Sequence, residues 1–467
     1  MIEKATFNVW QLGIWFFFNF FAFNSQGFIE EVVINSASAS QKINSHAGYY
    51  SLAIIYAVFT VANFVAAPIV DILSPKWAMV FGALCYAAFQ AGFFFLNEIY
   101  LYISSAILGF GAAIIWTGQG SYLSQNCTKD TTSRNSALLW GIGESSLIGG
   151  GIFLCAMFGT TSAARLTPKT IKILYGVFTV LAITSACIFA CLRSPVYPEV
   201  KDNDSSGELI SGTFKLMTTK KMLLLSVVFS YTGIELSFWS AIYPTCISFT
   251  RRLGTNTNFL LALNMITSGC GQVTAGLLFG VLGEKLRKIR RDYVVLLGAA
   301  IHLLAFGLCY TNFPTEASLK QSDDTGAIFT PIISIALIIG FLLGFGDAAW
   351  NTQLYSYICD VFTDKSSQAF AVFRFYQSAL SCAAFFYSPV VHLHWHLSIL
   401  SMTAILASVI FFIAESIERN NESSSDSAEV SSLKENKNSS KENDKNSKES
   451  AGESVKSVKS ERSDTEV

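Results

Sequence analysis

Twelve separate stretches of about 20 residues in this 467-residue chain are rich in apolar side chains and nearly free of charge. They begin near residues 7, 48, 77, 99, 137, 170, 222, 257, 293, 328, 367 and 395. This is the length that an α-helix needs to cross the hydrocarbon core of a bilayer. The composition agrees, because 51% of the residues are hydrophobic and the mean hydropathy is +0.43. The sequence therefore predicts an all-α polytopic membrane protein with twelve transmembrane helices.

The first apolar run has a second interpretation, because the small residues SASAS follow it at 36–40 and a secretory signal peptide ends in such a patch. The run, however, extends from Phe7 to about Val33, which is longer than the apolar part of a signal peptide. Glu30 and Glu31 also lie between the run and the small residues. We therefore expect the run to be retained as a membrane helix.

Lysine and arginine are unevenly distributed between the runs. With the N-terminus in the cytoplasm, most of them fall in cytoplasmic segments, and five lie in GEKLRKIRRDY at 283–293. The positive-inside rule then predicts that both termini are cytoplasmic, in the plasma membrane or an endomembrane. Topology alone explains the basic segment at 283–293, and contact with anionic membrane lipid is the alternative.

The sequence contains an internal repeat. Residues 108–122, LGFGAAIIWTGQGSY, and residues 343–357, LGFGDAAWNTQLYSY, agree at eight of fifteen positions, which maps the fourth run onto the tenth. A weaker match lays NSALLWGIGESS at 135–146 over QAFAVFRFYQSA at 368–379 and places Glu144 over Gln377. Parallel repeats of six helices are typical of the major facilitator fold. We predict six-helix bundles at 1–192 and 220–414, a cytoplasmic linker at 193–219 and a disordered cytoplasmic tail at 415–467.

The loop after the second run carries a trace of a motif of that fold, Gly-x-x-x-Asp-Arg-x-Gly-Arg-Arg/Lys. The segment APIVDILSPK at 67–76 keeps Asp71 and Lys76, which we predict to belong to a gating loop. The glycines and arginines of the motif are replaced by Ala67, Ile72, Ser74 and Pro75. These replacements weaken the prediction that the loop gates transport in the usual manner.

Several segments resemble the Unc-ninety-three-like family of the major facilitator superfamily. They are AFNSQ at 22–26, GYYSLAIIYAVF at 48–59, PIVDILSPKW at 68–77, GFGAAIIWTGQGSYL at 109–123 and GESSLIGG at 143–150. The resemblance extends over most of residues 7–414. It implies a transporter-like protein that moves or senses a small solute by alternating access. It equally implies a non-transporting alternative, an accessory subunit of an ion channel or a trafficking factor for a membrane receptor.

Charged side chains at membrane depth are the candidates for function. Glu144, Glu235, Asp347 and Arg374 fall inside apolar runs, and His302 does as well. Each charge costs about 2.5 to 3.5 kcal/mol at the centre of a membrane helix, so we expect it to be paired or to face a wet cavity. Asp347 and Arg374 form either a structural clamp or part of an ion-coupled site. Glu144 has no basic partner in its own half and is therefore the better candidate for a coupling residue.

Polar and aromatic side chains in the same runs are predicted to line a cavity that recognises a small polar or zwitterionic solute. The predicted residues are Asn24, Ser25, Gln26, Trp116, Gln119, Tyr122, Asn351, Gln353, Tyr355 and Gln377. Hydrogen bonds between helices are the alternative explanation for such residues.

Other classes of function lack support in the sequence. It contains no nucleophile and base at a catalytic spacing and no phosphate-binding loop, so we predict no enzyme, no cofactor and no nucleic-acid partner. The segment HLHWH at 392–396 would spread its imidazoles around a helix axis, so we predict no metal site.

The C-terminal end carries a separate signal. Thr465 lies two positions before the terminal Val467, which is a pattern that PDZ domains bind by adding the peptide as a strand. A tail rich in Ser and Thr can also end this way by chance. We therefore predict a PDZ-domain protein as a partner, with chance as the alternative.

Overall fold

The computed structural model describes residues 4–38, 43, 47–95, 97–128, 130–159, 167–197, 206–254, 256–281 and 290–420. These residues are almost entirely helical, and the helices are named here in chain order. They are α1 (Lys4–Ser38), α2 (Ala47–Gly92), α3 (Glu98–Ser124), α4 (Thr132–Gly159), α5 (Pro168–Phe189), α6 (Ser206–Met217), α7 (Lys220–Ser237), α8 (Tyr243–Phe249), α9 (Thr257–Val281), α10 (Arg291–Asn312), α11 (Ile333–Val361), α12 (Ser366–Tyr387) and α13 (Leu393–Asn420).

The described helices account for the predicted membrane spans. Nine of them, within the described ranges, are long and apolar enough to cross a membrane. One of the nine, Tyr50–Gly92 within α2, is 43 residues long and contains two of the predicted runs. A short π-helical segment, Phe238–Ile242, joins α7 to α8 as one continuous span. The helices α1 and α9, of 35 and 25 residues, supply the remaining two predicted spans. The predicted fold class is confirmed.

Local sequence explains where several helices begin. The side chain of Asn97 accepts hydrogen bonds from the backbone N–H groups of Ile99 and Tyr100 at the start of α3. Thr167 caps α5 in the same way, and Pro168 occupies the first helical position. Cap oxygens satisfy N–H groups that have no partner inside a helix, and proline there has no N–H to lose.

The two spans inside α2 are separated by a kink at Ser74, whose φ is 68° and ψ is 154°. This region of backbone space is normally occupied by glycine. Ser74 stands where the loop motif of the fold has its second glycine, and its backbone adopts this conformation typical of glycine. Asp71 lies before the kink, and the Lys76 ammonium after it lies 5.3 Å from the ring centroid of Trp77. A gating role for Asp71 and Lys76 stays a prediction.

Helices from both predicted halves pack against each other. The helix α4 meets α9 where two glycines face each other, because a Cβ on Gly276 would lie 2.6 Å from the Cα of Gly141. Among the described residues, those up to Phe411 form one compact unit, and residues 412–420 belong to a second one. The boundaries predicted for the two bundles and the linker stay predictions.

Candidate functional site

A cavity of about 100 Å³ lies among α1, α2, α3, α4, α7, α11 and α12. This volume holds several water molecules. Most of its wall is apolar, and aromatic rings contribute a large part of it, among them Phe28, Tyr56, Tyr86, Trp116, Trp140 and Trp239. A pocket with an apolar wall and a few polar groups is typical of a small-molecule site.

Three buried charged residues converge on this cavity. Glu144 on α4, Asp347 on α11 and Arg374 on α12 line it, with 9%, 2% and 3% of their surfaces exposed. The sequence placed all three at membrane depth, and the structure brings them to one site. The cavity is also lined by four of the predicted polar and aromatic residues, namely Asn24, Trp116, Asn351 and Gln377.

Arg374 is held by side chains from three helices. Its guanidinium donates to the Gln377 amide oxygen and to the Tyr355 hydroxyl. Its Cζ lies 4.0 Å from the ring centroid of Trp116 on α3 and 4.7 Å from that of Phe373. A guanidinium over an aromatic face gains a cation–π attraction that grows as water is excluded. The positive charge is therefore stabilised here by neutral side chains, and no carboxylate of the described residues forms an ion pair with it.

The carboxylate of Asp347 accepts hydrogen bonds from side-chain amides and does not pair with Arg374. Its Oδ2 accepts from the Gln272 side-chain amide at 2.8 Å, and its Oδ1 accepts from Asn351 at 2.9 Å. Among the described residues, no ion pair within 4.0 Å joins Asp347 to Arg374. The direct clamp considered from the sequence is therefore absent from this part of the chain, because amide donors occupy both carboxylate oxygens. Gln272 also accepts from the Trp140 indole N–H at 2.7 Å.

Glu144 is the cavity carboxylate with the fewest contacts. Its Oε2 is buried and has no hydrogen-bond partner among the described residues. The charges that act on it are those of Asp347 and Arg374. A buried carboxylate oxygen without a donor is costly, so its presence in a cavity points to a ligand or a proton as the missing partner.

The other predicted site residues lie away from the cavity wall. Gln26 donates to Glu30 one turn later at 2.8 Å. The Tyr122 hydroxyl donates to the backbone carbonyl of Arg193 at 2.7 Å. The Gln119 amide oxygen accepts from the Tyr355 hydroxyl at 2.8 Å and thus supports the tyrosine that holds Arg374. These three side chains are not in the wall of this cavity, and neither are Ser25, Gln353 and Tyr355. A role for them in binding stays a prediction.

Glu235 belongs to a second buried polar cluster beside the cavity. Its Oε1 lies 3.5 Å from His302 Nε2. His302 Nε2 also lies 3.2 Å from the Leu343 carbonyl oxygen, and its Nδ1 lies 2.5 Å from the Tyr231 hydroxyl. Because a carbonyl only accepts, this geometry fits a neutral imidazole with its proton on Nε2 and a hydrogen bond from Tyr231 to Nδ1. The sequence placed Glu235 and His302 at membrane depth but did not show that they meet.

The sequence matches a known protein family over most of its length. The profile of the family described as "Ion channel regulatory protein UNC-93" matches residues 39–412. The chain is 34% identical to the UNC93-like protein MFSD11 of Xenopus laevis, over 88% of this chain and 96% of that one. The chain belongs to the UNC-93 family. Another relative, protein unc-93 homolog A of Xenopus laevis, is 24% identical over 85% of this chain and 92% of its own length.

Solved structures place this UNC-93 family member in the major facilitator fold. The transporter FucP in its outward conformation matches 88% of this chain and 99% of its own, with a TM-score of 0.58 and 13% identity. The proton:xylose symporter XylE matches 87% of this chain and 94% of its own, with a TM-score of 0.61 and 11% identity. At such identities the likeness shows the fold alone.

Two residues of the site were missed by sequence reasoning. Gln272 binds Asp347, and Trp239 lines the cavity. Tyr355 was among the predicted cavity residues, and its hydroxyl accepts from Arg374. Gln272 lies in an otherwise apolar run, as the predicted residues do, so its polarity was the available signal. Trp239 carried no signal, since a tryptophan in an apolar run is equally expected in packing.

Proposed function

We propose that this protein is a transporter-like member of the UNC-93 family that moves or senses a small solute by alternating access. The observation that carries the proposal is the cavity to which α4, α11 and α12 bring Glu144, Asp347 and Arg374. Ionisable residues inside membrane helices are expensive and usually face a solute or ion pathway. Solutes in such folds bind near the middle of the membrane, between repeats.

The contacts at one end of the cavity support alternating access. The lining residues Trp116, Asn351 and Arg374 lie on α3, α11 and α12. Towards one end of the cavity, four residues away along each helix, these three helices contact each other. Gly120 of α3 packs closely against the ring of Phe370 on α12. A Cβ at this position would overlap the ring. The rings of Tyr355 and Phe370 lie 5.0 Å apart, and Tyr355 also bonds to Gln119 of α3.

This end is the one at which α1 and α12 begin and α3 ends, which is the cytoplasmic end in the predicted topology. The cavity wall includes Leu52, Ala241 and Phe385, which lie towards the opposite end of their helices. The arrangement therefore fits a state closed on the side of α3 Gln119, and the contacts that close it are side-chain contacts that can separate.

A crosslink across the closed end tests the proposal. The Ser121 and Ser367 hydroxyl oxygens lie 3.5 Å apart, on α3 and α12. We expect a Ser121→Cys, Ser367→Cys protein in proteoliposomes to lose uptake of its solute on oxidation and to regain it on reduction. The solute is found first with a metabolite panel on the unmodified protein. Each single cysteine variant is the control and should keep uptake in both conditions. Full uptake by the oxidised double variant would contradict alternating access.

Regulation of an ion channel is the second candidate function, and the family description "Ion channel regulatory protein" favours it. In this role the outer surface of the helices would contact the channel, and the cavity would be dispensable. Recording channel currents with and without this protein tests the idea. We expect a channel regulator to keep its effect when Glu144→Gln or Arg374→Gln is introduced, whereas a carrier loses uptake with the same substitutions.

The remaining partners and the topology also stay proposals. Thr465 and Val467 lie outside the described residues, as does the greater part of the basic segment at 283–293. Binding of a peptide of the last ten residues to PDZ domains, compared with the same peptide extended by one alanine, tests the first. Cytoplasmic placement of both termini is tested by protease access to terminal tags in sealed vesicles.

A further inference from the structure

We propose that the cavity binds a small organic cation, an amine with an apolar body, and that Glu144 is its counter-charge. The inference rests on the proposed function, since it names the solute class of the same cavity. Three independent observations support it, namely the charge balance of the wall, the hydrogen bonds that remain unmade, and the aromatic surface.

The charge balance of the wall is negative. Glu144 and Asp347 carry the acidic groups and Arg374 the basic one, and no other charged side chain of the described residues lines the cavity. With both carboxylates ionised the wall holds one uncompensated negative charge. Charges interact more strongly away from water, so a bound cation would stabilise this ionised state of the wall and a bound anion would destabilise it.

The cavity wall holds buried polar atoms of both kinds without a hydrogen-bond partner among the described residues, and the donors are Trp239 Nε1 and Arg374 Nε. Glu144 Oε2 and Asn351 Oδ1 are buried acceptor atoms that have no partner among the described residues, and both residues line the cavity. Asn351 uses its amide N–H group on Asp347, which leaves the oxygen as its free end. An ammonium group has N–H donors and no acceptor, so it matches two free acceptors. A carboxylate ligand would leave both of them without a partner.

The basic residue of the wall is already engaged. The Arg374 guanidinium donates to Gln377 and Tyr355 and lies over the Trp116 ring. These two hydrogen bonds use two of the five guanidinium N–H groups, and Nε has no hydrogen-bond partner among the described residues. Part of the capacity of Arg374 to bind an anionic solute is therefore already used within the protein.

The aromatic surface suits both parts of such a ligand. Trp140 and Trp239 lie on the same wall as Trp116, with Tyr56 and Tyr86 beside them. Indole and phenol faces attract organic cations and also bury an apolar body. Trp116 already holds the Arg374 guanidinium at 4.0 Å, which shows that this wall stabilises a positive group.

A matched set of three probes tests the solute class on the full-length protein in nanodiscs. The probes are 2-phenylethylamine, 2-phenylethanol and phenylacetate, which share one ring and chain length and differ in charge. Binding is followed by quenching of tryptophan fluorescence and by calorimetry. We expect the amine to bind about tenfold or more tighter than the alcohol, and the phenylacetate to bind weakest. Phenylacetate as the tightest ligand, or an amine no tighter than the alcohol, overturns the proposal.

Substitutions then assign the counter-charge. Glu144→Gln should lose about tenfold or more of the amine affinity and leave the alcohol affinity within about twofold, while Glu144→Asp should restore part of the loss. Glu30→Gln is the matched control, because Glu30 is a buried carboxylate outside the cavity wall. Unchanged amine affinity in Glu144→Gln overturns the role of Glu144. If the Glu144 variants do not fold, the comparison of the three probes on the unmodified protein still decides the solute class.

The outcome is separable from that of the proposed function. Amine binding without uptake, and without an effect of the Ser121–Ser367 crosslink, would defeat alternating access and leave the solute class standing. Crosslink-sensitive uptake of an anionic or neutral solute, with no preference for the amine, would defeat the solute class and leave alternating access standing.

Discussion

The two copies of the repeated segment, residues 108–122 of α3 and 343–357 of α11, agree where they pack and differ where they face the cavity. Gly109 in the first copy lies against the Ile55 carbonyl of α2, and Gly344 in the second lies against Ser268 of α9. Both glycines let helix backbones approach closely. The shared residues therefore specify the scaffold.

Two of the seven positions at which the copies differ lie in the cavity wall. Ala112 and Trp116 of the first copy occupy the positions of Asp347 and Asn351 in the second, and all four line the cavity. One copy thus presents a methyl group and an indole, and the other presents a carboxylate and an amide. A wall that is apolar on one side and polar on the other favours an amphipathic solute held in one orientation. The comparison teaches that the two copies share a scaffold and differ in polarity at the two positions that line the cavity.

The largest expected effect, on the pH dependence of amine binding, comes from Glu144→Gln. This substitution gives α4 the residue that α12 has at the aligned position, Gln377. As the pH falls, protonation of Glu144 removes its charge, so amine binding by the unmodified protein should weaken towards acid pH. Asp347, Arg374 and Tyr355 are the titratable or charged groups that interact with Glu144. We expect Glu144→Gln to abolish this pH dependence in calorimetric titrations between about pH 5 and 8.

The control for that experiment is Glu30→Gln, which should keep the pH dependence of the unmodified protein. A Glu144→Gln variant that folds and still shows the full pH dependence would remove Glu144 as the titrating group and point to Asp347 instead.

A second substitution gives the first copy the residue of the second. Trp116→Asn should lower the free energy of unfolding by about 3 kcal/mol, because it removes a large ring from a packed wall and the cation–π contact with Arg374. Thermal unfolding in detergent measures the loss. Trp116→Phe keeps a ring and should lose about 1 kcal/mol. Equal stability of the asparagine and phenylalanine variants would show that the ring does not hold the guanidinium.

A double-mutant cycle tests whether Asp347, in the second copy of the repeat, interacts with Arg374 of the helix that follows it. Asp347→Asn and Arg374→Gln should each destabilise the protein, since each disturbs buried hydrogen bonds. Because no contact joins the two residues in the described structure, we expect a coupling energy below about 1 kcal/mol. A double variant that recovers most of the stability lost by the single ones would show that the residues form an ion pair after all.

The smallest expected effect comes from a residue outside both copies. Ser74→Gly should raise the free energy of unfolding by about 1 kcal/mol, because glycine adopts the observed backbone conformation without strain. Ser74→Ala is the control and should bring no gain. Affinity for the amine should stay the same in both, which would separate the stability of the scaffold from binding in the cavity. A stabilised variant with altered affinity would link the kink to the cavity.

The fold was predictable from the sequence because a charge-free run of membrane length is a local property. The polar residues of the cavity were largely predictable for a related reason, since a side chain such as Asn24 or Glu144 is too costly to expose to lipid. Their partners were not predictable. Whether Asp347 meets Arg374 or Gln272 depends on the relative rotation of α9, α11 and α12, which no single run of the sequence records.

Two further residues show the same limit. Gln26 follows the cavity residue Phe23 at helical spacing, yet it bonds within its own helix, and Tyr122 bonds to the backbone near the end of α5. Conversely, the loop motif identified the replacement of a glycine by Ser74, but only the structure shows that the backbone there keeps a positive φ.

The contact of Gly141 with Gly276 has a mechanical consequence. Here α4 and α9 touch through their backbones, and no side chain separates them. The same helices also approach closely at Gly151, where a Cβ would lie 2.9 Å from the Ala262 carbonyl oxygen. Glu144 lies between these two contacts, three residues and about 4.5 Å along the helix axis from Gly141. In the proposed alternating access this stretch of α4 would therefore move little against α9, and the carboxylate would keep its place while the ends of the helices move.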